Sequence, residues 1–280
     1  MPRVQRTEMG RTRSSVKGSA SRHGTWLAAT LFAALLAMPA AAADYVDVPA
    51  GAFQSVLPTA DTPLDVDVAA LAMRSEPVTN AEFLAFITAH PQWRRDRVPG
   101  IFAESRYLEH WPTADSIADG QARQPVVKVS WFAAQAYCES EQARLPTWHE
   151  WEYVAAADAT RRDARSDPAW RNRILGWYER TSGGDLAAIG GDANAYGVRD
   201  LHGLVWEWVD DFNALFISAD NRNQGDPDLL KFCGAGALSM QDRDNYAVLM
   251  RIAMLSSLKG ADVTGNLGFR CVRSAKEKSQ

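Results

Sequence analysis

The sequence predicts an α+β fold, a single irregular domain of few, short helices and strands. Three observations carry this. Two stretches join a capping box to a helical spacing of apolar residues, several short stretches alternate apolar with polar residues, and long periodic segments are missing from the 280 residues. No internal repeat is present.

Taken in order, Tyr45 to Phe53 alternates apolar and polar residues before a Pro/Gly turn and reads as an opening strand. Thr79-Asn-Ala-Glu82 is a capping box, and Phe83, Phe86 and Ile87 give Ala81 to Ala89 a helical face that Pro91 stops. Residues 91–124 have no period but carry four aromatic anchors, Trp93, Phe102, Tyr107 and Trp111, and read as a long packed loop. A second helix is predicted from Ser130 to about Gln142. Thr147-Trp-His-Glu150 opens a third, running through Ala157. Residues 158–192 are charged and only patchily apolar, at Trp170, Ile174 and Trp177, and read as a surface excursion. Short strands are predicted at Val205–Val209, Val248–Met254 and Gly268–Val272.

The bulk properties bound the function. Thr25 to Ala43 is apolar and small and follows six basic residues set against Glu8, with Ala41-Ala42-Ala43 supplying a cleavage site. Residues 1–43 are therefore expected to be a Sec-type signal peptide cleaved after Ala43, with Met9 as an alternative start and an uncleaved anchor as the competing reading. Residues 44–275 form the domain, and 276–280 a polar tail. The expected location is the periplasm or the exterior. The remaining 237 residues carry 24 basic and 33 acidic side chains, a net charge of −9 that disfavours nucleic acid and anionic membrane surfaces as partners. A protein or a small molecule is the expected partner. Nine of the ten Trp lie in this part and imply a large aromatic core or an aromatic-lined pocket. Three cysteines, Cys138, Cys233 and Cys271, in an exported chain mean one pair and one thiol left over.

Four blocks, in order, carry a resemblance. They are Glu76-Pro-Val-Thr-Asn-Ala-Glu-Phe83, then Gln124-Pro-Val-Val-Lys-Val-Ser-Trp131 running on through Arg144-Leu-Pro-Thr-Trp-His-Glu-Trp-Glu-Tyr153. Next comes Ala193-Asn-Ala-Tyr-Gly-Val-Arg-Asp-Leu-His-Gly-Leu-Val-Trp-Glu-Trp-Val-Asp-Asp211, and last Leu267-Gly-Phe-Arg-Cys-Val-Arg273. Together they resemble the formylglycine-generating enzyme family, the sulfatase-modifying factor domains. The resemblance implies that family's irregular, C-type-lectin-like fold. It also implies a Cys138–Cys271 disulfide, leaving Cys233 free, and loop-holding carboxylate pairs for Arg144 and Arg270. The Phe-Cys-Gly-Ala-Gly run at 232–236 and the stretch from Met250 to Ser257 resemble the periplasmic NirV-type members, which implies a role in denitrification or copper-enzyme maturation.

The resembled oxidases bind Cu(I) through two cysteines five residues apart, a soft ion on soft ligands. Aligning Gly234-Ala235 with the family's Gly-Gly puts those positions near Ser239 and Asp244, and neither side chain replaces a thiolate. What remains is Cys233 with Met240 as a thin copper site, or Cys233 as a small buried hydrophobe. Asp242, Asp244 and Tyr246, with Arg251 further on, are candidate catalytic residues for acid/base work in a pocket above residues 233–251. A solvated polar loop is the plainer reading of that run. Asn194, Asp200, Glu207 and Asp210 are candidate calcium ligands, although Gly203-Leu204 lacks the Asn that relatives use and calcium prefers six to eight oxygens. His149 and His202 are expected to be structural. Copper and calcium are thus the cofactors raised. Three functions stay open: an oxidase-like or maturation factor, a non-catalytic accessory protein on the same scaffold, and a formylglycine-generating oxidase.

Overall fold

A computed structural model of the chain describes residues 43–55, 65–178, 186–213 and 246–275, and the residues from Ala40 onward cluster as one compact unit. Its elements are short, as the sparse periodicity requires. Strands β1 (Tyr45–Val48), β4 (Leu71–Arg74) and β7 (Val272–Ser274) form an antiparallel sheet with β4 in the middle, Tyr45 opposite Arg74 and Leu71 opposite both Val48 and Ser274. Strands β2 (Gly51–Gln54) and β3 (Asp65–Val68) make a separate antiparallel pair. The predicted opening strand is therefore two strands, because Pro49 and Ala50 turn the chain from one sheet to the other. Strand β3, absent from the elements predicted above, alternates Asp and Val, exposed and buried in turn, with the period of two that a half-buried strand requires.

The helices follow their caps. Helix α1 (Asn80–Ala89) begins at Thr79, whose hydroxyl accepts from the Glu82 amide while the Glu82 carboxylate accepts from the Thr79 amide. Helix α2 (Trp131–Ser140) is capped by Ser130, and α3 (Trp148–Ala155) by a second reciprocal box between Thr147 and Glu150. Each such cap contributes about 1 kcal/mol by satisfying amides that lack an intrahelical partner. Between α1 and α2 only a 3₁₀ turn, Pro91–Trp93, is regular. Tyr107 and Trp111 anchor this loop from within, Trp93 is half-buried, and Phe102 remains exposed.

Two expectations are corrected. The stretch 158–192 is not a bare excursion. It contains α4 (Pro168–Tyr178), which Asp167 caps through the Ala169 amide and Pro168 opens at the first helical position, where a missing N–H costs nothing. Trp170 and Ile174, four apart on one face, bury with Ala164 in a small second cluster. The predicted strand Val248–Met254 is a helix, α5 (Tyr246–Ser256). Arg251, Ile252 and Leu255 are buried while Met250 and Ala253 are exposed, the spacing of a helical face and not of a strand. The last predicted strand splits into β6 (Leu267–Gly268), which pairs in parallel with β5 (Trp206–Glu207), and β7. A side chain at Gly268 would meet the Val126 carbonyl oxygen at 2.6 Å, so glycine alone lets β6 lie this close to the chain behind it.

Apart from the small cluster around α4, one core unites these parts. Cys138 on α2 and Cys271 before β7 are bonded, with their Cα atoms 5.4 Å apart. No helix among the described residues is long and apolar enough to cross a membrane. The signal segment and the polar tail lie outside the described residues.

Candidate functional site

The most polar part of the interior gathers around Glu207, which is fully buried on β5. Arg270, equally buried, donates from Nε and Nη2 to both carboxylate oxygens at 2.7–3.0 Å. Trp151 Nε1 adds a third donor at 2.8 Å. The guanidinium is completed by the carbonyls of Arg74, Ser75 and Arg199, so it ties two further segments to the Trp-Glu-Trp block. Trp148, one turn before Trp151 on α3, donates to Glu152 at 2.9 Å, and Ser55 donates to the same oxygen at 2.7 Å. Burying such charges is costly unless every donor and acceptor finds a partner, and here the geometry supplies those partners.

Arg251 sits in this interior. It is 2% exposed, with its guanidinium 3.6 Å from the Trp151 ring centre and Nη2 donating to the Glu207 carbonyl. Its described contacts are those of a cation that packs α5 onto α3 and β5. Of the other residues singled out from the sequence, Cys233, Met240, Asp242 and Asp244 lie outside the described residues, as does the side chain of Tyr246. Arg144 and Arg270 hold carboxylate pairs, Arg144 through two hydrogen bonds to Glu150 at 2.6 and 2.7 Å.

The four calcium candidates are divided. Both oxygens of Glu207 are taken by Arg270 and Trp151. Asn194 closes its own turn, accepting from the Tyr196 and Val198 amides and donating to the Val154 carbonyl. Asp200 accepts from the Gly190 and Gly191 amides. Asn194 and Asp200 line one cavity, and Glu207 and Asp210 do not. Among the described residues no three His, Cys, Asp or Glu side chains gather as a metal site. The copper pair of the resembled oxidases fits no better: of three cysteines two form the disulfide, leaving a single thiol.

The cavity holding Asn194 and Asp200 was invisible in the sequence because α4 builds one of its walls. It has a volume of about 380 Å³. Trp170 and Ile174 from α4 line it together with Val198 and Leu201, and Asp158, Asp192, Asp200 and Arg173 bring charge to it. Arg173 and Asp192 are exposed and have no hydrogen-bond or ion-pair partner among the described residues. His202 also lines it. Its ring stands edge-on to Trp151 and Trp170, each 5.6 Å away, and Nε2 lies 2.9 Å from the Ala155 carbonyl. Nδ1 is closed off without a hydrogen-bond partner. Burial first, and then the nearby arginines, pull the imidazole down to about 4, so at neutral pH it is uncharged. His149, beside Phe53, is likewise pulled down by burial.

Comparison with known proteins agrees with the four sequence blocks. The model of the Sulfatase-modifying factor enzyme 1-like domain matches residues 33–275. The Formylglycine-generating enzyme of Streptomyces coelicolor is 33% identical over 187 residues, covering 59% of each chain. Inactive C-alpha-formylglycine-generating enzyme 2 of Bos taurus is 31% identical over 163 residues, 54% of this chain and 50% of its own. Hercynine oxygenase of Mycobacterium tuberculosis is 31% identical over 162 residues, 51% of this chain and 38% of its own. The chain thus spans between about two-fifths and three-fifths of the length of these relatives.

Proposed function

The chain belongs to the sulfatase-modifying factor enzyme 1-like family, and from that premise we propose that it is an exported maturation factor whose chemistry does not run through a two-thiolate copper site. One observation carries this reading. The Cys138–Cys271 bond consumes two of three cysteines, so one chain has only Cys233 to offer a soft metal. The buried Glu207–Arg270 pair meanwhile holds β5 and β6 together, so the fold stands without such a copper site. The segment containing Cys233, Asp242 and Asp244 would then act on a protein or small molecule in the periplasm, by acid/base work or a single thiol. Denitrification and copper-enzyme maturation are the settings that the likeness to NirV-type members supports.

A second reading, a non-catalytic accessory protein, is favoured by a different observation: a relative 31% identical bears the name of an inactive enzyme. Formylglycine generation itself requires that the missing pair be bypassed.

The test is the copper and iron content and Cu(I) affinity of the purified protein beside Cys233→Ser, together with turnover of a cysteine-bearing sulfatase peptide. Peptide turnover, or a Cu(I) site equal in affinity to that of a two-thiolate oxidase, would overturn the proposal. Absence of peptide turnover, with function in an exporting host lost in Asp242→Asn or Asp244→Asn, is the expected result. Retained function in every such variant favours the accessory reading.

A further inference from the structure

The loop 91–124 has no period to pair its backbone, so side chains and a few long-range bonds must hold it. Its fixed point is the crossing of Leu108 with Lys128. The Leu108 amide donates to the Lys128 carbonyl at 2.9 Å, and the Lys128 amide to the Thr264 carbonyl at 2.9 Å. Both residues sit in the left-handed region, with φ of 50° and 52°, where a side chain crowds its own backbone. Arg95 clamps the next turn by donating to the carbonyls of Leu108 and Trp111. Strained backbone of this kind persists only where its surroundings hold it in place.

His110 lies beside this crossing, its ring edge-on to that of Trp111 at 6.2 Å. The residue is half-buried, but both ring nitrogens are closed off and neither has a hydrogen-bond partner. A neutral imidazole carries one N–H and one lone pair, so a donor and an acceptor are both left unmet, which is rare in folded proteins. The charges facing the ring are Lys128, Glu109 and Arg95, and Lys128 Nζ already engages Glu109 at 2.6 Å. A second ring proton would set a third cation beside Lys128 and Arg95, with no acceptor for either N–H. Burial first, and then Lys128, pull this imidazole down to about 4, with Glu109 opposing and Arg95 adding to the effect. Released into water, the same ring takes its proton near 6.5.

We propose that His110 is an acid-operated latch on this loop: its protonation is met by the segment from Tyr107 to Trp111 coming off Lys128, while the disulfide-tied core stays folded. Opening would uncover the Tyr107 and Trp111 rings, each 1% exposed when the latch is closed. His202 differs, because its Nε2 is bonded to the Ala155 carbonyl and its ring is set between Trp151 and Trp170, so its protonation works against the interior as a whole. The latch does not rest on the chemistry assigned above to Cys233, Asp242 or Asp244.

The test is amide hydrogen exchange in the full chain, read by NMR between pH 7.0 and 4.5 as protection relative to the unfolded chain at the same pH. The amides of Leu108, Trp111 and Lys128 are expected to exchange before those of Ala134 and Val272, which report the core. Below about 6.5 the loop's protection should fall about tenfold per pH unit, the slope of one proton. It should stay level in His110→Phe, which keeps a ring and removes the proton site, and should fall as before in His202→Phe. An equal response to acid in His110→Phe would overturn the proposal. So would loop amides that exchange only together with Ala134 and Val272. The imidazole resonances of the unaltered protein give a check that needs no variant: a His110 ring that titrates near 6.5 with the loop still protected would overturn the latch.

Discussion

Glu207 and Asp192 are both acidic residues in or beside the longest family block, and they have opposite fates. Glu207 is sealed from water, gripped by Arg270 and Trp151, and has no capacity left for a ligand. Asp192, fifteen residues earlier, stands at a cavity mouth with no partner among the described residues. The comparison teaches that the most conspicuous motif of a chain can be its frame. The Trp-Glu-Trp block invites a functional reading because it is rich in chemistry, yet the structure spends that chemistry on holding segments together. The groups with hydrogen-bonding capacity to spare lie where the sequence looked like filler.

That contrast can be broken most decisively on the interior side. Removing the disulfide by Cys138→Ser with Cys271→Ser frees a loop of 133 residues and should lower unfolding free energy by ~4–5 kcal/mol in the chain-entropy model, read by urea denaturation. Glu207→Gln leaves Arg270 buried beside a neutral amide and should cost ~3–5 kcal/mol. A loss under ~1 kcal/mol would show that the pair is not the frame described. Both variants need an oxidising host and a folding assay before any functional assay is interpreted.

His202 joins the two regions, since its ring lies between Trp151 and Trp170, and it sharpens the comparison through pH. His202 and His110 are both held near 4 by burial, below the usual 6.5 of an unfolded imidazole. Between those values the unfolded chain binds protons that the folded chain refuses, so stability must fall as pH drops from about 6.5 towards 4. Urea midpoints at pH 7.5, 5.5 and 4.5 measure this. The slope should flatten in His202→Phe, and an unchanged slope would remove His202 from the account. Smaller effects follow. Thr147→Ala deletes one cap of α3 and should cost ~1 kcal/mol. Asp192→Asn should change stability by less than ~0.5 kcal/mol, as befits a surface group with nothing to lose.

What was legible in the sequence was local. The boxes at Thr79–Glu82 and Thr147–Glu150 join side chains to backbone three residues away, so a short window contains the whole interaction. The aromatic anchors Tyr107 and Trp111 could be read from residue type alone. The run from Tyr246 to Ser256 could not, because a short apolar stretch fits a strand or a buried helix until its exposed residues are known. Helix α4 had a usable signal in Asp167-Pro168 that was outweighed by the charge around it. The Glu207–Arg270 pair spans 63 residues, and the role of Glu207 emerges only once β5 and β6 pair. The cavity needed three distant segments to be assembled first.

The central strand of the three-stranded sheet has a consequence for how the molecule comes into being. Strand β4 spans Leu71–Arg74, but its second neighbour, β7, spans Val272–Ser274, far along the chain. Until those residues arrive, β4 presents an open edge and Cys138 lacks Cys271. Completion is therefore a single late event, in which one short strand closes the sheet and brings Cys271 to its mate. A chain without Cys271 and β7 would lose the zip and the lock together, exposing a row of unpaired amides and a reactive thiol.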